Sequence, residues 1–187
     1  TGMTRLGVPL DQAEVFLKEA NQIESIELEG LYSHFATADE GDLSYANSQL
    51  SKFNEVVKIS KKLDIYPTFI HCSNSGAILN VKESRFNMVR AGMLLYGAFP
   101  SDEVPQELPI KPVMTFTAPV VEIRDVKAGT HISYGGVYTT KSDTRIAVVQ
   151  AGFADGVPRP WYIDGFVKFK DQNFKITGRI CMDQLMI

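Results

Sequence analysis

Helical and extended sequence patterns alternate over the first half of the 187-residue chain, and this alternation limits the folds open to it. Apolar residues recur at helical spacing after Asp11, and a longer helical pattern ends before Pro67. Strands that alternate with helices predict parallel βα units. The predicted helices are 13–23, 43–63 and 75–79, and the predicted strands are 30–35, 68–72 and 87–91.

The pattern changes after Leu95. Residues 100–112 are rich in proline and acidic residues and predict a linker. From Val113 onward the chain is β-rich, with turn residues between the segments, as is typical of antiparallel sheets and barrels. We therefore predict an α/β segment over 1–112 and a mostly antiparallel β domain over 113–187. The predicted strands of this domain are 114–126, 131–138, 145–150, 166–169 and 174–187.

Charge and cysteine content exclude several classes of partner. Nineteen basic and 22 acidic side chains give a net charge of −3, which offers no electrostatic basis for binding nucleic acid. No apolar run approaches the roughly 20 residues of a membrane span. Cys72 and Cys181 lie far apart and match no metal-ligand spacing, so we expect no metal site. Two such cysteines are consistent with a cytoplasmic location.

Arg90 lies in the predicted strand 87–91, between Val89 and an apolar stretch that begins at Ala91. A guanidinium in such a setting requires an acceptor with fixed geometry. Gly92 allows other backbone to approach closely. Arg90 therefore belongs either to a buried ion pair or to a site for an acceptor-rich ligand, and this segment does not decide between the two.

Polar residues follow each predicted strand of the first half and should share one rim of the sheet. Ser75 opens a helix, and a helix start beside Gly92-Met93 is typical of a phosphate site, although an isolated serine there is more often a simple N-cap. His34 ends the first strand and is either a structural hydrogen-bonding residue or a base.

Tyr134 precedes two glycines in the β domain. Its phenol is free to project into a cleft as a proton donor or acceptor. A turn tyrosine without a chemical role fits the same pattern. Residues 178–184 form a second tight polar turn, in which Cys181 is flanked by apolar residues and is expected to pack rather than to act as a nucleophile.

Taken together, eight segments in this order resemble the pyridoxal-phosphate-dependent alanine racemases over nearly the whole chain. The resemblance implies the C-terminal part of a (β/α)8 barrel followed by an incomplete β domain, and hence a central-to-C-terminal fragment. It further implies a homodimer whose active sites are shared, and a two-base interconversion of L- and D-alanine through an aldimine, which supplies D-alanine for peptidoglycan. The segments are 1–7, 30–40, 71–75, 88–92, 95–97, 132–135, 152–156 and 178–184.

The resemblance also implies roles for particular residues. Arg90 would contact the ring nitrogen of pyridoxal 5′-phosphate, and His34 would hydrogen-bond to Arg90. Tyr134 would reach across the dimer as the second acid/base. The remaining implied contacts are Asn74, Ser75, Gly92 and Met93 to the cofactor, and Arg5 and the Met182 backbone to the substrate carboxylate.

Two features depart from the family pattern. The lysine that carries the cofactor lies upstream in the family, and none of the lysines here falls in such a motif, so we expect the chain alone to be inactive. Phe153 stands where the family usually has tyrosine, which leaves the pocket polarity and substrate choice open. A racemase for serine or several amino acids, and a non-catalytic truncated homologue, remain alternatives.

Overall fold

Helices and two parallel strands alternate along the first part of the chain, as the sequence predicts. The computed structural model describes residues 1–187, which divide into two units, Thr1–Thr115 and Phe116–Ile187. None of the helices combines the length and apolarity needed to cross a bilayer. The elements of the first unit are α1 (Ala13–Asn21), β1 (Gly30–Tyr32), α2 (Ser44–Lys62), β2 (Phe69–His71), α3 (Ser75–Asn80) and α4 (Gly92–Leu95).

Strands β1 and β2 pair in parallel, so that Tyr32 and His71 are partners at their carboxyl ends. The apolar stripe of α2 supplies much of the core beneath them, because its residues recur at helical spacing. Segments that follow the two strands complete this core and are thereby held against α2. The buried cluster consists of Phe35, Ala38, Ala46, Leu50, Phe53, Val57, Cys72, Ala77 and Val81.

The predicted strand 87–91 is wrong, since this segment is irregular. Phe86 adopts a left-handed backbone conformation (φ 41°), which interrupts the extended run just before it. The side-chain amide of Asn87 then takes the place of strand backbone beside β2: it accepts from the Ile70 N–H (2.8 Å) and donates to the Thr68 carbonyl (2.7 Å). One backbone hydrogen bond follows, from Arg90 N to Ser73 O (3.0 Å).

The predicted linker also packs within the first unit. Val104 is buried, and the Glu103 carboxylate accepts from the Gly41 N–H (2.5 Å). The Ser101 hydroxyl donates to the Asp39 carbonyl. This part of the proline-rich segment therefore holds the loop that follows β1.

Antiparallel pairing dominates the second unit, as predicted, but its strands are shorter. The first strand begins only at Val120, and the predicted strand 131–138 is divided by a tight turn at Tyr134–Gly136. The strands are β3 (Val120–Val126), β4 (His131–Ile132), β5 (Tyr138–Thr139), β6 (Thr144–Val149), β7 (Phe166–Phe169), β8 (Gln172–Lys175) and β9 (Leu185–Met186). β3, β6 and β9 form one sheet, while β4–β5 and β7–β8 form two hairpins.

The core of the second unit lies beneath the loops that join these strands. Most of its buried side chains come from residues that flank the loops 152–156 and 178–184, so both loops are fixed at their ends. The cluster consists of Val149, Ala151, Val157, Ile176, Ile180 and Leu185.

Candidate active site

The Arg90 guanidinium is the centre of a polar cluster in the first unit. Its Nη2 donates to Ser33 O (2.8 Å) and lies 3.1 Å from His34 Nδ1, while Nη1 lies 2.5 Å from His71 Nδ1. A longer contact reaches Cys72 O (3.4 Å). The ends of β1 and β2 therefore converge on one half-buried cation, and the contact predicted between His34 and Arg90 is present.

No carboxylate lies within ion-pair distance of Arg90. The three ion pairs of the chain involve other, exposed residues. The interpretation of Arg90 as one member of a buried ion pair is therefore wrong, and its acceptors are carbonyls and imidazoles. The charge of the guanidinium is left uncompensated within this unit.

Both imidazoles beside Arg90 favour the neutral form. Burial, and then the charge of Arg90, lower the pKa of His34 and of His71 below their ordinary value; Arg5 adds to the effect on His34. Burial also raises the pKa of the Cys72 thiol to about 12, so that this side chain is an inert neutral group. His71 was not among the predicted site residues, although its place directly after the strand residue Ile70 is the same signal that identified His34.

The starts of α3 and α4 lie side by side. Ser75 is buried, and its Oγ accepts weakly from Leu94 N (3.4 Å). A Cβ placed on Gly92 would lie 3.8 Å from the same oxygen. Met93 is exposed in the first turn of α4. The structure thus brings together the serine, glycine and methionine that the sequence associates with a phosphate.

Asn74, rather than Ser75, is the N-cap of α3. Its Oδ1 accepts from Ala77 N (3.0 Å), and its Nδ2 reaches Phe35 O (3.4 Å). The Asn74 side chain is therefore engaged in fixing the helix start against the segment after β1. The Ser75 hydroxyl is therefore not used to cap α3.

A buried glutamine supports the cluster from α2. Gln49 is 1% exposed, accepts from Ala36 N (2.9 Å) and donates to His34 O (3.2 Å). Its amide thereby fixes the backbone on both sides of Phe35. Gln49 was not among the predicted site residues either, although a polar residue between Ala46 and Phe53 on the apolar face of a helix was a usable signal.

Arg5 faces the same cavity as His34. This cavity has a volume of about 260 Å³ and is lined by the N-terminal segment, α1, α2 and the end of β1. Arg5 itself is exposed, and no hydrogen bond fixes its side chain. Its predicted role therefore rests on placement beside His34 rather than on a formed contact.

Tyr134 and Met182 lie in the second unit on two loops that contact each other. Both side chains are exposed, to 64% and 62%. Ser133 adopts a left-handed conformation (φ 62°), and its hydroxyl donates to Arg179 O (2.6 Å) and lies 3.7 Å from Cys181 Sγ. These contacts fix the backbone on which Tyr134 is presented.

A third loop, 152–156, packs against the loop of Met182. Phe153 N donates to Cys181 O (3.0 Å) and Ala154 N to Met182 O (2.8 Å). A Cβ on Gly152 would lie 2.3 Å from Met182 O, so only glycine fits there. The Arg159 guanidinium lies over the Phe153 ring, 5.1 Å from its centroid.

The site residues therefore form two clusters, one in each unit. No group of three or more His, Cys, Asp or Glu side chains lies together as a set of metal ligands. The lysines are exposed except for the half-buried Lys52, and none contacts Arg90. The first cluster contains Arg5, His34, Asn74, Ser75, Arg90, Gly92 and Met93, and the second contains Tyr134 and Met182.

Comparison with known proteins defines the class of protein that these units form. Residues 1–100 match the family described as "Alanine racemase, N-terminal domain", and residues 113–187 match "Alanine racemase, C-terminal domain". The chain belongs to the alanine racemase family. The family resemblance found in the sequence motifs is thereby confirmed.

A curated relative and two solved structures support the same assignment. The alanine racemase of Halothermothrix orenii is 42% identical over 187 residues, which are 100% of this chain and 49% of the relative. The alanine racemase of Streptomyces coelicolor A3(2) is 34% identical, with a TM-score of 0.93 over 99% of this chain and 50% of that chain. The alanine racemase of Bartonella henselae with covalently bound pyridoxal phosphate is 28% identical, with a TM-score of 0.81 over 100% of this chain and 50% of that chain.

The chain spans about half the length of the curated relatives that it matches. The predicted fold is confirmed by these structures: the first unit is part of an α/β barrel, and the second is part of the β domain that follows it.

Proposed function

We propose that the protein to which this chain belongs is a pyridoxal-phosphate-dependent racemase that interconverts L- and D-alanine and supplies D-alanine for peptidoglycan. The observation that carries the proposal is the Arg90 cluster, in which a cation is held only by neutral acceptors beside Ser75 and Gly92. Relatives named alanine racemase and the cofactor in the Bartonella henselae structure support it.

The residues around Arg90 fit the cofactor in two respects. The contacts of Arg90 engage Nη1 and Nη2 and leave its Nε–H for a further acceptor, such as a ring nitrogen. At the start of α4, Gly92 N donates to Arg90 O (3.0 Å), while the Met93 N–H makes no hydrogen bond. Met93 N and Ser75 Oγ are then the donors that would hold a phosphate, with no Cβ at Gly92 to obstruct it.

Arg90 would also direct the chemistry. A bound pyridoxal ring withdraws electrons from the substrate and so allows a proton to leave its Cα. Arg90 can only donate hydrogen bonds, so a ring nitrogen in contact with it would stay unprotonated. Arg90 would thereby limit electron withdrawal into the ring and favour return of the proton to Cα over transamination.

Tyr134 would supply the second acid/base, on the substrate face opposite the lysine. We propose that it comes from the partner subunit of a head-to-tail homodimer with shared sites. Its exposure, and the exposure of Met182 on the adjoining loop, leave both side chains available to another subunit. The Met182 backbone and Arg5 would bind the substrate carboxylate, while His34 would hold Arg90 in place.

Phe153 favours one alternative within the same class. Loss of the usual hydroxyl beside Met182 alters the polarity of the substrate entrance, so a preference for serine or for several amino acids is the second candidate.

We place the protein in the cytoplasm, because Cys72 and Cys181 are both free thiols.

Tyr134→Phe in the full-length protein tests the proposal. We expect solvent exchange of the α-proton to fall by about 10²–10⁴-fold from one alanine enantiomer and far less from the other, since only one face loses its acid/base. Exchange into D₂O, followed separately from each enantiomer by NMR, measures this difference. The 187-residue chain with added pyridoxal phosphate is the control and is expected to be inactive. Equal losses from both enantiomers would refute the role of Tyr134.

A further inference from the structure

Two imidazoles contact Arg90, but they are not equivalent. His34 approaches Nη2, which also donates to the carbonyls of Ser33 and Cys72. His71 approaches Nη1, and it is the only acceptor within hydrogen-bond distance of that nitrogen. The orientation of the guanidinium plane is therefore fixed at one end by three acceptors and at the other end by His71 alone.

The His71 ring is itself held by Tyr32. The two residues are register partners at the ends of the parallel strands β1 and β2, so their side chains project to the same side. Their rings stack with a centroid distance of 5.4 Å and an interplanar angle of 9°. Arg90 also lies 5.7 Å from the Tyr32 ring centroid. A stacked ring cannot swing away without losing this contact, so the position of Nδ1 is set by the sheet.

We propose that His71 is a positioning residue: its unprotonated Nδ1 accepts from Arg90 Nη1 and thereby sets the direction of the Arg90 Nε–H. This inference rests on the proposed function, in which that N–H meets the cofactor ring nitrogen. His71 acts through Arg90 and touches neither cofactor nor substrate. Because Nδ1 accepts, the ring proton resides on Nε2.

The surroundings of His71 favour the neutral ring that the role requires. The groups near it are the Arg90 cation, the Tyr32 phenol, the neutral Cys72 thiol and His34, with Arg5 beyond His34. Burial, followed by the charge of Arg90, lowers the pKa of His71 from its ordinary value of 6.5. Protonation would place two cations in contact and remove the acceptor. The arrangement is thus complete at neutral pH and is lost in acid, below the ordinary histidine pKa.

Nitrogen NMR of the full-length protein with ¹⁵N-labelled histidine tests the pairing without measuring activity. The signal of His71 is assigned by its loss in His71→Asn. We expect an Nε2–H tautomer that titrates below pH 6.5, and a mixed tautomer with a higher pKa in Arg90→Leu. An Nδ1–H tautomer in the unchanged protein, or no response to Arg90→Leu, would overturn the proposal.

Substitutions at His71 test the consequence for cofactor binding. Asparagine retains an acceptor close to the position of Nδ1, whereas leucine removes it. We expect His71→Leu to weaken pyridoxal phosphate binding by about tenfold and to raise the ratio of transamination to racemisation by a similar factor. His71→Asn should restore most of both. His131→Asn, in the second unit, is the matched control and should change neither.

The two proposals fail in different ways. Absence of racemase activity in the unchanged full-length protein would reject the proposed function, while the tautomer of His71 would still report its pairing with Arg90. Unchanged cofactor affinity and reaction ratio in a folded His71→Leu would reject the positioning role alone. If His71→Leu does not fold, His71→Asn is compared with the unchanged protein instead. A loss of cofactor affinity in His71→Asn as large as the loss in Arg90→Leu would reject the positioning role.

Discussion

The two clusters of site residues are built by different means. In the first unit, side chains determine the geometry: Arg90, His71 and Gln49 form hydrogen bonds that connect the strand ends to each other and to α2. In the second unit, backbone contacts dominate. Main-chain hydrogen bonds join the loop of Met182 to loop 152–156. The loop of Tyr134 contacts the loop of Met182 through the Ser133 hydroxyl and by close approach of backbone at Gly178.

This difference determines how each cluster should respond to substitution. Removing a side chain from the first cluster leaves buried polar groups without partners, and the cost is that of lost hydrogen bonds. Adding a side chain to the second cluster forces backbone atoms apart, and the cost is that of overpacking. The stability of the first cluster should therefore depend on the polar atoms that a substitution removes, and the stability of the second on the volume that a substitution adds.

Gly152→Ala should have the largest effect. The added Cβ would lie 2.3 Å from Met182 O and 2.4 Å from both Asp183 N and Cys181 O, all of them backbone atoms that cannot rotate away. We expect a loss of more than about 4 kcal/mol in the free energy of unfolding, enough to disrupt the second unit. Denaturant unfolding of the full-length protein measures it.

Gly156→Ala is the matched control for Gly152→Ala. Gly156 lies four residues away with open space around it, so the cost of substituting alanine there comes from its positive φ of 94°. That cost should be about 1–2 kcal/mol. Equal losses at the two positions would contradict the account of the second cluster, because backbone conformation alone would then explain both.

Gln49→Leu should have an intermediate effect. The substitution leaves the part-buried His34 O and Ala36 N without their partner, which costs about 1–3 kcal/mol of unfolding free energy. Glu55→Leu, on the exposed side of α2, is the control and should change stability by less than about 0.5 kcal/mol. A stability for Gln49→Leu close to that of the control would mean that the buried amide does not support His34.

Phe153→Tyr should have the smallest effect on stability, within about 0.5 kcal/mol, because the exposed ring keeps its place beneath Arg159. The added hydroxyl should instead alter substrate preference. We expect the kcat for alanine to stay within about twofold while the ratio of kcat/KM values for alanine and serine changes. Steady-state kinetics of the full-length protein with both amino acids measures this. An unchanged ratio would remove Phe153 from the residues that select substrate.

Much of the first unit was predictable from residue patterns. The helical spacing in α2 and the short strands around Leu31 and Ile70 set its order, and the strand-end rule placed His34 and Ser75 near Arg90. The strand proposed for 87–91 failed because an asparagine side chain can replace backbone partners, and hydrophobic periodicity does not reveal such a replacement. His71 and Gln49 each carried a usable local signal, but the partners that define their roles lie far away in the sequence.

Strand boundaries were the weakest part of the prediction in the second unit. Apolar residues continue through the turn at Tyr134–Gly136, so alternation alone reads β4 and β5 as one strand. The left-handed conformation of Ser133 is another feature that composition does not reveal, because serine does not usually mark such a position. Glycines at 135 and 136 were the only local sign that the chain turns there.

The amide of Asn87 has a consequence for the ageing of the protein. Asparagine amides hydrolyse slowly to aspartate, and aspartate at this position would turn a carboxylate oxygen toward the Thr68 carbonyl in place of the present donor. The bond to Ile70 N would survive, while the other would become repulsive. Hydrolysis of this one amide, three residues before Arg90, would therefore loosen the contact between residue 87 and β2 without any mutation in the gene.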